Sequence, residues 1–147
     1  MAVSRALRRL FHIRALEEEQ SKMALDSSLA HLRQVENAHR RAFDAVCQGR
    51  RLLESGVRSG DLPDRLAGIE EIRRAQYLTD ALVPMMAEGE ADVAEHREDF
   101  LLTRVHRRQA ETLLDETEKL DAEDADRRAQ QALGDWYLNR LQREKAK

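Results

Sequence analysis

Only one place in this sequence gathers chain-turning residues together, the stretch Ser55-Gly56-Val57-Arg58-Ser59-Gly60-Asp61-Leu62-Pro63. Glycine and proline punctuate helices because the first has no Cβ to restrain its backbone and the second has no N–H to donate. On either side run long stretches rich in Leu, Ala, Arg, Glu and Gln, all good helix formers. A single fold-back between two helical tracts predicts an all-α chain, a long antiparallel two-helix coiled-coil hairpin forming one domain over residues 1–147. Such a shape spans and docks rather than enclosing a substrate.

Composition points the same way. Charged residues make up 36% of the chain and aromatics 4%, the profile of a long helix or coiled coil. So few aromatics leave burial to Leu, Ala and Met along a narrow seam. A net charge of −3 is too near zero to argue for nucleic acid, and stacking platforms for bases are missing. Cys47 is the one cysteine and cannot form an internal disulfide, which suits a reducing compartment. No apolar run approaches the roughly 20 residues needed to cross a bilayer. Residues Met1 to Leu16 lack the apolar core of a secretory signal. They are Arg-rich and acid-free through Arg14, which leaves an organelle transit peptide as the alternative. The expected location is the cytoplasm.

The first helix is expected from about residue 4 to residue 54, capped by Ser4. Its stripe reads Leu25, Leu29, Leu32, Val35, His39, Ala42, Val46, Gly49 and Leu53, in steps of three and four that face a partner helix. Leu7, Leu10 and Phe11 share one face, whereas Ile13 and Leu16 drift off it, which predicts a stutter between Glu17 and Lys22. The second helix is expected from about residue 64 to residue 143, after a tip at residues 55–63. Its stripe reads Leu66, Ile69, Arg73, Leu78, Leu82, Met85, Gly89, Val93, His96, Phe100, Thr103, Ala110 and Leu114. Pro84 removes a backbone hydrogen bond there at a cost of about 3 kcal/mol, so a kink or short break is expected near residues 80–84.

With the turn centred near residue 59, residue i faces residue 118 − i. The first helix then ends opposite residue 115, and the C-terminal part of the second overhangs without a partner. On that register Arg5, Arg8, Arg9 and Arg14 fall near Glu111, Asp115, Glu116 and Glu118; the alternative is that both clusters are simply solvated.

Residues that would carry chemistry are scattered. His12, His31, His39, His96 and His106 converge nowhere on this register, and ordinary seam or surface positions suit them. No glycine-rich phosphate loop occurs. The acidic run Asp115 to Asp126 lacks the central glycine of a calcium loop and reads as a solvated helix face. Cys47 has no close histidine to activate it and reads as a small packing residue. No catalytic residue, cofactor or metal is expected, and the chain is not expected to be an enzyme.

The ends of the helices are more informative. Leu133, Trp136, Tyr137 and Leu141 form a helical patch holding the one tryptophan, bordered by Arg140. Large aromatics on an unpaired helix mark a docking surface; self-association or folding back on the first helix is the alternative. Near the turn, Phe43, Val46, Tyr77 and Leu78 form either a second patch or the core of the turn.

The order of these features resembles the FliJ family of the bacterial flagellar type III export apparatus. The carriers are the opening Leu7-Arg-Arg-Leu-Phe-His-Ile-Arg-Ala-Leu-Glu-Glu-Glu-Gln20, the Tyr77-Leu78 segment followed by Leu82, and the closing Gln131-Ala-Leu-Gly-Asp-Trp-Tyr-Leu-Asn-Arg140. Gly134, Pro84 and Gly89 depart from the pattern. The resemblance implies a two-helix coiled coil that inserts its paired termini into a hexameric export ATPase. The other end would contact the export-gate membrane protein, and the chain would also handle export chaperones. It would then sit at the cytoplasmic side of the inner membrane, peripheral through its partners. Carried over, Arg5, Leu7, Arg8, Leu10, Phe11, Leu133, Trp136, Tyr137, Arg140 and Leu141 would meet the ATPase, and Phe43, Val46, Tyr77 and Leu78 the gate. Other readings are a rotary-ATPase stalk-like subunit, a generic coiled-coil scaffold, or a membrane-surface binder anchored by Arg5, Leu7, Arg8, Arg9, Leu10 and Phe11.

Overall fold

A computed structural model describes the backbone of residues 2–145 and the side chains of residues 5–145. Ser4, the expected cap of the first helix, has its side chain outside the described residues and lies within the helix rather than at its start. Among the described residues the chain is two long α-helices packed against each other, with no strand. Helix α1 spans Ala2–Ser59 and helix α2 spans Leu62–Lys145. The connection is therefore far tighter than the expected tip of residues 55–63. Gly60 ends α1 with φ +73°, the left-handed conformation that an L side chain disfavours and that commonly closes a helix. Arg58 lies in the last turn of α1 and Asp64 in the first turn of α2, each of the sign that suits the local helix dipole. Pro63 sits in the first turn of α2, where its missing N–H has no partner to lose. The Arg65 amide donates to the Asp61 carbonyl at 3.2 Å, and Arg65 Nε donates to the Gly56 carbonyl at 3.0 Å.

The break expected near residues 80–84 is absent, because α2 continues through Pro84 as helix. Pro84 and Asp80 are both exposed, so the carbonyl that loses its amide donor lies on the wet side. Leu82, Met86, Gly89 and Val93 meanwhile hold the other side of the same turns in the packed seam.

The chain groups into two compact units, Gln20–Leu101 and Met1–Glu19 with Leu102–Lys147. In the unit Gln20–Leu101, the α1 stripe expected from Leu25 to Leu53 is buried or half-buried throughout, and Gly56 extends it. Val35, Ala42 and Leu82 form a cluster flanked by Ala38 and Met86. The α2 face differs from expectation. Leu66, Ile69, Arg73, Leu78 and Met85 are exposed, and Gly68, Ile72, Ala75, Thr79 and Met86 take the inward positions.

Close backbone approach explains that face. A Cβ on Gly68 would lie 2.7 Å from the Leu53 nitrogen and 2.8 Å from the Gly49 oxygen. A Cβ on Gly49 would lie 2.9 Å from Ile72 Cγ1. Only small residues fit such a gap, and bulky Leu66 and Ile69 turn outward. Gly49 with Ile72, Leu53 with Gly68 and Leu32 with Gly89 each add to 121, so the register within Gln20–Leu101 is 121 − i rather than 118 − i. The shift follows from the turn at Gly60 and Asp61, later than the centre assumed from sequence.

In the second unit, Leu7, Phe11, Arg14 and Glu18 of α1 are half-buried, as are Thr103, Arg107, Leu114 and Thr117 of α2, while Ala110 is buried. The stutter expected between Glu17 and Lys22 does not occur. Half-buried positions continue in steps of four and three through Leu7, Phe11, Arg14, Glu18, Ser21 and Leu25. Polar side chains simply occupy the seam, and Leu10, Ile13 and Leu16 point outward.

Candidate functional site

The candidate surfaces fall within one unit or the other. In the unit built from the chain ends, Arg5 and Arg8 are exposed and Leu7 and Phe11 are half-buried in the seam. Leu10 is only partly open, at 37% exposure. Arg8 donates from Nε at 3.0 Å and from a terminal nitrogen at 2.8 Å to one oxygen of Glu118, joining two of the charges the register had set opposite. The remaining expected pairs do not form as drawn. Arg14 bonds Glu17 on its own helix at 2.9 Å, and Glu111 accepts from Arg107 at 2.9 Å. Arg5 and Arg8 instead border a polar recess of about 470 Å³ with Asp121, Asp124 and Arg128.

One interaction escaped the sequence reading. Arg107 Nε donates across the helix pair to Glu18, with both side chains largely withdrawn from water. The Arg107 guanidinium is held above its ordinary pKa, first by that hydrogen bond and further by the negative charges of Glu18 and Glu111. A raised folded-state pKa makes the contribution fully present below the unfolded value and lost only as pH climbs through the folded one. The pair therefore persists across neutral and mildly alkaline pH. Within Glu-Glu-Glu at residues 17–19, the seam spacing from Leu7 singles out Glu18.

Farther along α2, every residue from Asp121 to Arg140 is exposed. Leu133, Trp136 and Tyr137 stand open at 67, 59 and 58%, and Leu138, which the sequence reading passed over, at 59%. Leu141 is half-buried. The Arg140 guanidinium lies 5.7 Å from the centre of the Trp136 ring, a cation–π arrangement, while its Nε donates to Glu144 at 3.1 Å. Trp136, Asn139, Arg140 and Arg143 line a recess of about 290 Å³.

In the unit Gln20–Leu101, Phe43 and Tyr77 are exposed at 57 and 79%, and Leu78 is exposed too. Val46 is not part of that surface. It is 6% exposed, because its position in the stripe between Ala42 and Gly49 turns it into the seam. Leu78 instead borders a groove of about 270 Å³ whose floor is Ala38, Ala42, Ala45 and Ala75 and whose rim is Arg41, Glu71 and Arg74. Leu62, Leu66, Ile69 and Tyr77 form a further exposed strip on α2, spaced to share one helix face.

Among the described residues, no group of three His, Cys, Asp or Glu side chains is placed to hold a metal ion. No described helix is long and apolar enough to cross a membrane. Cys47 is a free, half-buried thiol. No family model matches the chain, and no curated protein or solved structure matches it either.

Proposed function

We propose that this chain is a non-enzymatic coiled-coil component of the bacterial flagellar type III export apparatus. It acts as the central stalk of the export ATPase ring and links that ring to the export gate and its chaperones. The observation that carries the reading is the exposed run from Asp121 to Arg140, which presents Leu133, Trp136 and Tyr137 together with Arg140. A helix that leaves its tryptophan and tyrosine in water, one ring already under a guanidinium, is built to be covered by another surface. On this reading α2 overhangs α1, and Arg5, Leu10, Leu133, Trp136, Tyr137, Arg140 and Leu141 meet the ATPase. Phe43, Tyr77 and Leu78 meet the export gate. The protein works at the cytoplasmic side of the inner membrane and reaches the membrane through its partners.

The test is co-purification with a hexameric export ATPase. Wild type is expected to be retained, and Trp136→Ala with Arg140→Ala to lose at least about tenfold in affinity, as for a truncated interface anchor. Retention equal to wild type removes the terminal patch as the contact. The membrane-binder reading is weakened because Leu7 and Phe11 lie in the seam rather than on an open face. Strong flotation with liposomes at physiological salt would restore it.

A further inference from the structure

We infer that the helix pair formed by α1 residues 5–19 and α2 residues 102–118 is an ionic latch, able to separate while the pair within Gln20–Leu101 stays closed. This holds whatever the protein's partner. The reason is the unequal chemistry of the two seams. In Gln20–Leu101 the buried apolar residues are Val35, Ala42, Val46, Ala75, Leu82 and Val93, beside glycines that let the backbones touch. Among the described residues, the other unit buries one apolar side chain, Ala110, among the smallest available. Its remaining seam positions are half-buried and mixed, with Leu7, Phe11 and Leu114 beside Arg14, Glu18, Thr103, Arg107 and Thr117.

Separating an apolar seam exposes hydrocarbon to water, and nothing in the water compensates. Separating a polar seam lets carboxylates, guanidinium and hydroxyls recover hydration, so the open state lies much closer to the closed one. What holds the latch is therefore the cross-helix ion pairs, Glu18 with Arg107 and Arg8 with Glu118. Of these, Glu18–Arg107 is the bolt. Its side chains are 18 and 24% exposed, against 44 and 65% for Glu118 and Arg8, so solvent and salt screen it least. Arg107 is further steadied from its own helix by Glu111. Opening would uncover Leu7, Phe11 and Leu114, half-buried in the closed pair.

Spin-label distances in the full chain, with Cys47→Ser, test this. One label pair replaces exposed Leu10 and Leu113; a control pair replaces exposed Arg33 and Glu88. Arg107→Glu is expected to raise the long-distance population of the first pair roughly tenfold and leave the control unchanged. Raising salt from about 0.1 M to about 1 M, which shortens the screening length from about 10 Å to about 3 Å, should move wild type in the same direction but by less than the charge reversal, because the bolt is partly shielded from salt. Glu18→Leu with Arg107→Leu should keep the first pair narrow and insensitive to salt, since an apolar bolt needs no charge. A first pair that stays narrow in Arg107→Glu, or two pairs that broaden together, overturns the latch. So does a double-leucine variant as open as Arg107→Glu.

Discussion

At Gly68 a Cβ would stand 2.7 Å from the Leu53 nitrogen and 2.8 Å from the Gly49 oxygen, both backbone atoms that cannot swing aside. Gly68→Ala is therefore expected to destabilise by about 1–3 kcal/mol, read as a lower urea midpoint. Gly134 offers the opposite case, since a Cβ there would meet nothing within 4 Å. Gly134→Ala should stabilise the helix by about 0.5–1 kcal/mol, because alanine gives up less backbone freedom. An unchanged midpoint in Gly68→Ala would mean the helices are not in backbone contact there. Glycine also marks where reading by residue type misleads. Gly56, which the tip expected at residues 55–63 contains, is a buried helical position held close to Arg65.

The two helices owe their continuity to different things. Helix α1 carries a stripe that alternates cleanly from Leu25 to Leu53, so its inward face could be read directly from spacing. Helix α2 offers two overlapping apolar patterns in its first turns, one through Leu66 and Ile69 and one through Gly68, Ile72 and Ala75. Side-chain size favours the first by hydrophobicity, and the narrow gap selects the second. Pro84 shows the same override, since α2 carries it without interruption despite the lost hydrogen bond. Pro84→Ala on this exposed face should raise stability by as much as about 3 kcal/mol, seen as a higher thermal midpoint. A drop in the midpoint instead would show that the proline relieves a packing conflict. Arg8→Ala, by contrast, removes only a surface pair and should change stability by no more than about 1 kcal/mol.

For the molecule as a whole, buried apolar side chains are divided very unequally between the units, and cooperativity should follow them. Hydrogen exchange is expected to be slowest at Val35, Ala42, Leu82 and Val93, and faster by at least about tenfold over residues 5–19 and 102–118. Uniform protection along both helices would contradict that. Partner binding belongs to this scale too, because Trp136 and Tyr137 keep most of their large rings in water. The proposed export-ATPase contact should protect residues 133–141 in the complex and leave Gln20–Leu101 unchanged.

Helical class, one fold-back and the exposed Trp136 patch follow from local rules: strong helix formers, a single glycine-bearing turn, and aromatics placed beyond the apolar stripe. Those signals live within a few residues of each other, so no neighbour in space is needed to read them. The inward face of early α2, the burial of Val46, the 121 − i register and the Glu18–Arg107 pair are of another kind. Each depends on how near one backbone comes to another across the chain; within Gln20–Leu101 that distance is set by the turn at Gly60 and by the glycines that line the gap.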